Sequence, residues 1–244
     1  MKINWIIILF LQFFWSKNQE PFNCRITETM ISEEEYKFTI DKNAKIPTQI
    51  PANFRFATNG EKSDFETKVN VWYSEDYLNV GFECKDDLFV KQNAMYVHND
   101  PLYNQEVFEV FISAGADDPE KYLEVEINPN DAIWIGWIDN PSLGVQTQTL
   151  NRMVDPAEAK ILHAIEKTED SWSGTLQIPW KIISNEMSQN YRVNFYRIRS
   201  NSSHQDPNWI CDEVTCDFVC WSPTLSGKNA AFHRPKRFGL MTVK

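Results

Sequence analysis

Hydrophobic and polar residues alternate along most of this chain, and the alternation breaks at short polar turns. In residues 68–74, Val69, Val71 and Tyr73 share one side, with Asn70 and Trp72 on the other. After Ser74-Glu75-Asp76 the pattern resumes over 77–85, where Leu78, Val80, Phe82 and Cys84 face one way. Two such runs about a short turn predict a hairpin. Residues 106–113 repeat the pattern, with Phe108, Val110 and Ile112 opposite Val107, Glu109 and Phe111. In 122–128, Leu123, Val125 and Ile127 read as the core face, and Tyr122, Glu124, Glu126 and Asn128 as a polar face, which for glutamates is most simply a solvated one. Asn128-Pro129-Asn130-Asp131 is a turn before an aromatic strand at 132–138. Further strands are predicted at 36–40, 159–167, 173–178, 192–199, 218–221 and 238–243. Pro179 opens a single helical turn ending at Ile183, and no stretch sustains a helical period. Many short strands with regular turns predict an all-β antiparallel sandwich or barrel.

The first residues fall outside this pattern. Lys2 precedes an almost wholly apolar run at 5–15, too short to span a bilayer and ended by polar residues 16–20. Residues 1–16 therefore read as an export signal, and 17–50 as a polar leader with one strand at 36–40. The remainder, 51–244, reads as one sandwich domain. The chain has 244 residues, 42% hydrophobic, which suffices for a sizeable core. It carries 24 Lys+Arg against 34 Asp+Glu, a net charge of -10. That balance argues against a nucleic-acid partner or an anionic membrane surface, whereas a neutral ligand meets no such repulsion.

Candidate chemistry is sparse. Of five cysteines, Cys211, Cys216 and Cys220 are loosely spaced like metal ligands, but no histidine sits at ligand spacing. In an exported protein some cysteines could pair, and the odd count leaves at least one thiol unpaired or intermolecular. Asp86-Asp87 or Asp117-Asp118 with Glu120 offer oxygen ligands for a structural calcium, although turn formation is the commoner use of such pairs. No other cofactor is expected. Glu109, Glu124 and Glu126 on neighbouring strands could supply the paired carboxyls of a glycoside hydrolase. A solvated strand face explains them more simply. No nucleophile motif or phosphate-binding glycine loop is present. Exposed aromatic side chains beside polar loops suit the apolar face of a sugar ring, and Tyr103 and Phe232 are the candidates. Most other aromatics should pack in the core.

Several segments, in order, resemble carbohydrate-binding module family 9, in its broad group of exported bacterial proteins. They are Val69-Asn70-Val71-Trp72-Tyr73; Asp100-Pro101-Leu102-Tyr103 leading to Val107-Phe108-Glu109-Val110; Tyr122-Leu123-Glu124-Val125-Glu126-Ile127-Asn128-Pro129; Ile178-Pro179-Trp180; Arg192-Val193-Asn194-Phe195-Tyr196; and Trp221-Ser222-Pro223 with Phe232-His233-Arg234-Pro235-Lys236-Arg237-Phe238-Gly239. The resemblance runs from about Asn53 to Lys244. It implies a jelly-roll-like β-sandwich without catalytic apparatus, with structural calcium in some members, and a sugar clamped between two rings. Tyr103 and Phe232 occupy the ring positions, where relatives carry tryptophan. Glu109 matches a hydroxyl-binding glutamate. Glu126 and Tyr196 stand near a family arginine and a family glutamine, and Asn229 could supply an amide. The implied role is capture of a glycan in the periplasm or outside the cell, alongside secreted glycoside hydrolases. A scaffold that has lost sugar binding is the alternative.

Overall fold

The computed structural model describes residues 33–244 apart from Ala52. The expected export signal, the first part of the polar leader and Cys24 lie outside the described residues. The strands are β1 (Lys37–Ile40), β2 (Thr48–Gln49), β3 (Arg55–Phe56), β4 (Thr67–Tyr73), β5 (Tyr77–Cys84), β6 (Val107–Ala114), β7 (Lys121–Ile127), β8 (Ile133–Asp139), β9 (Thr149–Met153), β10 (Leu162–Lys167), β11 (Trp172–Pro179), β12 (Asn190–Ser200), β13 (Cys216–Cys220) and β14 (Gly239–Val243). Two single-turn helices are α1 (Pro156–Ala159) and α2 (Trp180–Ile183). They form two sheets. The larger runs β1-β14-β12-β6-β7-β8-β9, with β13 on β12 and β3 on β13; the smaller runs β10-β11-β5-β4-β2. Pairing is antiparallel except that β1 runs parallel to β14. The strand expected at 36–40 is thus hydrogen-bonded into the larger sheet.

The inner core lies between the sheets. Phe82 of β5 stacks on Phe108 of β6, ring centres 4.2 Å apart and planes 11° apart. Val110 and Phe195 are register partners beside them. These are the alternate positions that the pattern assigns to the core.

Arg197 of β12 also points into this interface and is completely buried. Its guanidinium donates to Asp87 at 3.2 Å, to the carbonyl of Lys85 at 2.9 Å, and to the carbonyl of Glu66 and the hydroxyl of Thr67. Trp172 Nε1 donates to the same Asp87 oxygen at 3.1 Å. One arginine from the larger sheet therefore satisfies acceptors along an edge of the smaller one.

Two expectations are corrected. The polar face of β6 and β7 is not solvated: Glu109, Glu124 and Glu126 are 2%, 4% and 0% exposed. A second hydrophobic cluster covers this outer face, joining Phe111, Tyr122, Trp134 and Tyr196 of the sheet to Leu102, Trp209, Phe232 and Phe238 of the loops. The strand expected over 159–167 begins only at Leu162. Before it, Asp155 accepts from the backbone N–H groups of Ala157 and Glu158 and Pro156 presets the first helical angle, so α1 forms instead.

Replacing Arg197 with alanine leaves Asp87 buried without its cation. The unfolding free energy is expected to fall by about 3–5 kcal/mol, measured by urea denaturation. Arg197→Met with Asp87→Asn should recover part of that loss. A loss of about 1 kcal/mol or less, as for an exposed pair, would mean that water reaches the pair.

Candidate functional site

The loops over the outer face of the larger sheet leave a cavity of about 430 Å³. Its walls include Tyr103, Glu109, Glu124, Trp134, Gln148 and Phe232. Two larger grooves, of about 760 and 660 Å³, lie elsewhere, and every charged side chain that lines them is exposed. Only buried ionisable groups have their chemistry strongly altered by their surroundings, so the smaller cavity is the candidate site.

Tyr103 sits on a 3₁₀ turn, Leu102–Asn104, whose Leu102 is buried. The next residue, Gln105, ties this turn to the loop leading to β13. Its amide donates to the carbonyls of Pro207 and Trp209, both at 3.0 Å, and accepts from Ala94 N. Cys211 N donates to Asn104 O, and Cys211 is disulfide-bonded to Cys216 at the start of β13. Cys84 and Cys220 are buried free thiols. Tyr103 is thereby held at the mouth of the cavity with its side 49% exposed.

Phe232 also lines the cavity but is only 7% exposed. Its ring stacks on Tyr196, centres 4.5 Å apart, and the Tyr196 hydroxyl donates to the Phe232 carbonyl. The loop before it is shaped by Arg234, which donates to the carbonyls of Thr224 and Leu225. Trp134 lies flat along β8 because Gly136, two residues on, has no side chain. A Cβ there would stand 2.4 Å from the indole.

The carboxyls come from adjacent strands. Glu109 and Glu126 are directly opposite in the β6–β7 register, and Glu124 is opposite Phe111. Burial pushes all three above the usual carboxylate range, Glu124 to about 8. The charge of Glu124 adds to the effect on Glu109, and those of Glu109 and Glu124 to the effect on Glu126. His233 Nε2 lies 4.0 Å from Glu124, but burial pulls its ring down to about 3. The Tyr122 hydroxyl and His233 Nδ1 are 2.8 Å apart. With the phenol as donor, the neutral imidazole carries its proton on the nitrogen facing Glu124.

The structure thus brings Tyr103, Phe232 and Glu109 into one cavity. Glu126 adjoins it as the cross-strand partner of Glu109. Tyr196 backs Phe232 rather than lining the space, and Asn229 is exposed on its loop, outside the wall. Glu124, Gln148, Trp134 and His233 complete the surroundings. Gln148 escapes a reading of the sequence because it directly precedes β9, a polar edge strand whose exposed residues show no alternation. The acidic pairs considered for calcium make other contacts: Asp118 pairs with Arg192 at 2.7 Å, and Asp87 with Arg197. Among the described residues no group of three or more His, Cys, Asp or Glu is placed to hold a metal ion.

No protein-family model matches the chain. A curated relative from Arthroderma benhamiae, named "Extracellular protein", is 27% identical over 170 residues, spanning 66% of this chain and 76% of its own length. Among solved structures, a candidate carbohydrate-binding protein from Bacteroides uniformis superposes with a TM-score of 0.59 at 13% identity, covering 85% of this chain and 99% of that one. A carbohydrate-binding module of family 9 from Caldicellulosiruptor kristjanssonii, in complex with glucose, gives 0.51 at 12% identity, covering 85% and 95%. Its cellotriose complex gives 0.50 at 12% identity, covering 85% and 93%. At such identities the likeness is one of fold. This chain shares the β-sandwich architecture of family 9 domains.

A carboxyl that holds its proton more tightly when folded contributes stability below its unfolded pKa and loses it as pH rises through the folded one. For Glu124 that window runs from 4.5 to about 8. His233 has the opposite sign: its contribution is lost as pH falls below 6.5. The ligand-free protein should therefore lose thermal stability as pH rises towards about 8. Glu124→Gln should flatten that decline and be the more stable protein at its upper end, by a few kcal/mol at most. Parallel melting curves for the two proteins would show that Glu124 ionises in water.

Proposed function

We propose that this protein binds carbohydrate without transforming it, and that the cavity between Tyr103 and Phe232 is the binding site. The observation that carries this reading is the pairing of a half-exposed aromatic ring with buried acceptors in one cavity. A sugar ring has an apolar C–H face and a rim of hydroxyl donors, and the two features match these walls. The shared fold supports it, since the family 9 module from Caldicellulosiruptor kristjanssonii is seen with glucose and with cellotriose.

Export is part of the proposal. The disulfide is of the kind that persists in oxidising compartments. The fungal relative is named as extracellular, and no helix among the described residues is long and apolar enough to cross a membrane. A role in holding glycans near secreted or periplasmic hydrolases follows from the same reading.

The three carboxyls also invite comparison with a glycoside hydrolase. A retaining enzyme needs an ionised nucleophile beside a protonated acid. Here burial raises all three carboxyls, Glu124 to about 8 and the other two well above the ordinary value, so none is held as the ionised partner near neutral pH. That favours binding over catalysis.

Calorimetric titration with glucose, cellobiose and cellotriose tests the reading. Affinities between millimolar and micromolar are expected, about -4 to -8 kcal/mol. Tyr103→Ala should weaken them by up to about tenfold, since a stacked ring adds roughly 0.5–1.5 kcal/mol beyond burial. Affinity unchanged in this variant would remove Tyr103 from the site, and no binding across a broad glycan panel would end the proposal.

A further inference from the structure

The cavity is rich in acceptors and poor in charge compensation. Glu109 and Glu124 line it, and behind them neither oxygen of the fully buried Glu126 makes an ordinary hydrogen bond, its nearest polar neighbours being the Glu124 carboxyl and the Tyr103 backbone. Gln148 Oε1, on another wall, is also buried without a partner. A buried acceptor left unpaired costs about 1–3 kcal/mol, and more when charged. Such atoms, arrayed around a cavity with an open aromatic mouth, ask for a ligand made of donors.

Sugar hydroxyls are donors but bring no charge. Among the described residues no lysine or arginine forms an ion pair with Glu109, Glu124 or Glu126. The groups facing them are Tyr103 from the mouth, Tyr122 from β7, Tyr196 from β12, Cys220 from β13 and His233 from the C-terminal loop, none of them a cation. Burial keeps the His233 ring neutral, so it lends no positive charge. Elsewhere the same fold meets a buried acid with a cation: Asp87 has Arg197, both fully buried. On the outer face no such cation is present among the described residues.

We infer that the cavity selects a saccharide bearing a free primary amine, a deacetylated hexosamine unit, whose ammonium group enters beside Glu109 and Glu124, with Glu126 buried behind them. An ammonium offers three donors in a compact head, enough for the two lining carboxyls with one to spare. Its charge also favours the ionised carboxylates, so protons leave the site when it binds. The sugar ring stacks on Tyr103 as in the reading above, on which this inference rests. An N-acetylated unit lacks the charge and adds an acyl group where the carboxyls sit. A divalent metal is the weaker occupant, because the carboxyls are not gathered as a metal site.

The test is calorimetry on the full chain with three disaccharides: β-1,4-linked glucosamine, its N-acetylated counterpart, and cellobiose. The glucosamine disaccharide should bind at least about tenfold tighter than the other two, roughly 1.4 kcal/mol. Its heat should vary with the buffer's ionisation enthalpy because protons are released, while that of cellobiose should not. Glu109→Gln and Glu124→Gln should each compress the preference, with circular dichroism confirming the fold. Tyr103→Ala, a surface change, should weaken both sugars whatever happens to the buried variants. Equal or tighter binding of cellobiose overturns the amine preference and leaves carbohydrate binding standing. Calcium that binds and displaces the amine also overturns it. Absence of binding by all three disaccharides overturns the amine preference, and the broad glycan panel then decides whether carbohydrate binding stands.

Discussion

The central strands β6, β7 and β12 are buried on both faces, and the rest of the molecule is arranged around that constraint. A two-sheet sandwich ordinarily buries one face of each sheet and leaves the other to water. Here the outer face carries Phe111, Tyr122, Tyr196 and Ile198, too much apolar surface to leave exposed. The loops before β6 and around β13 and β14 must therefore fold down over it. They are long and irregular, so their backbone groups need partners of their own. Side chains supply them: Gln105 for the loop ahead of β13, Thr224 and Arg234 for the loop ahead of β14. The cavity is where that loop layer fails to close.

Both faces of the larger sheet bury acids, and they treat them differently. On the inner face Asp87 is surrounded by Arg197 and the Trp172 indole, and neighbouring Glu106 accepts from Ser200 N. Replacing such a network with apolar groups of the same shape need not weaken a protein, but removing one member does. It acts as a register pin between the sheets. On the outer face three neighbouring carboxyls have no cation beside them among the described residues. Nothing about packing requires them, since leucine would fill a similar volume without the desolvation penalty. A group that burdens the free protein in this way is better explained by something that binds than by the fold.

How much of this was legible follows from where period-two alternation carries information. It located most strands and the inner core, because Phe108, Val110, Val125 and Phe195 fall on one phase of the pattern. It could not tell a solvated second face from a covered one. Glu124 and Glu126 look the same in either case, and only the loop residues Leu102, Trp209 and Phe232, far apart in sequence, decide it. Arg197 was misleading in the opposite sense, a charged residue on the core phase of β12. Tyr103, Phe232 and Glu109 were found through a family resemblance rather than through spacing. Gln148 and Trp134 were not, since β9 shows no alternation and an aromatic on a strand usually reads as core.

The two aromatic walls differ in a way that bears on how a ligand enters. Phe232 is pinned by Tyr196 from behind and by its own carbonyl, so it loses little freedom on binding. Tyr103 has an exposed ring on a backbone fixed by Gln105 and by the bond to Cys211. Its main chain is preorganised while its ring retains rotational freedom. Ordering one side chain costs about 0.5–1.5 kcal/mol, whereas ordering a whole loop would cost far more. On the proposed reading, such a site would hold a small saccharide with few contacts, its affinity governed by the buried carboxyls. The ring at the mouth would then set how readily the ligand leaves, and the acids at the base which ligand is kept.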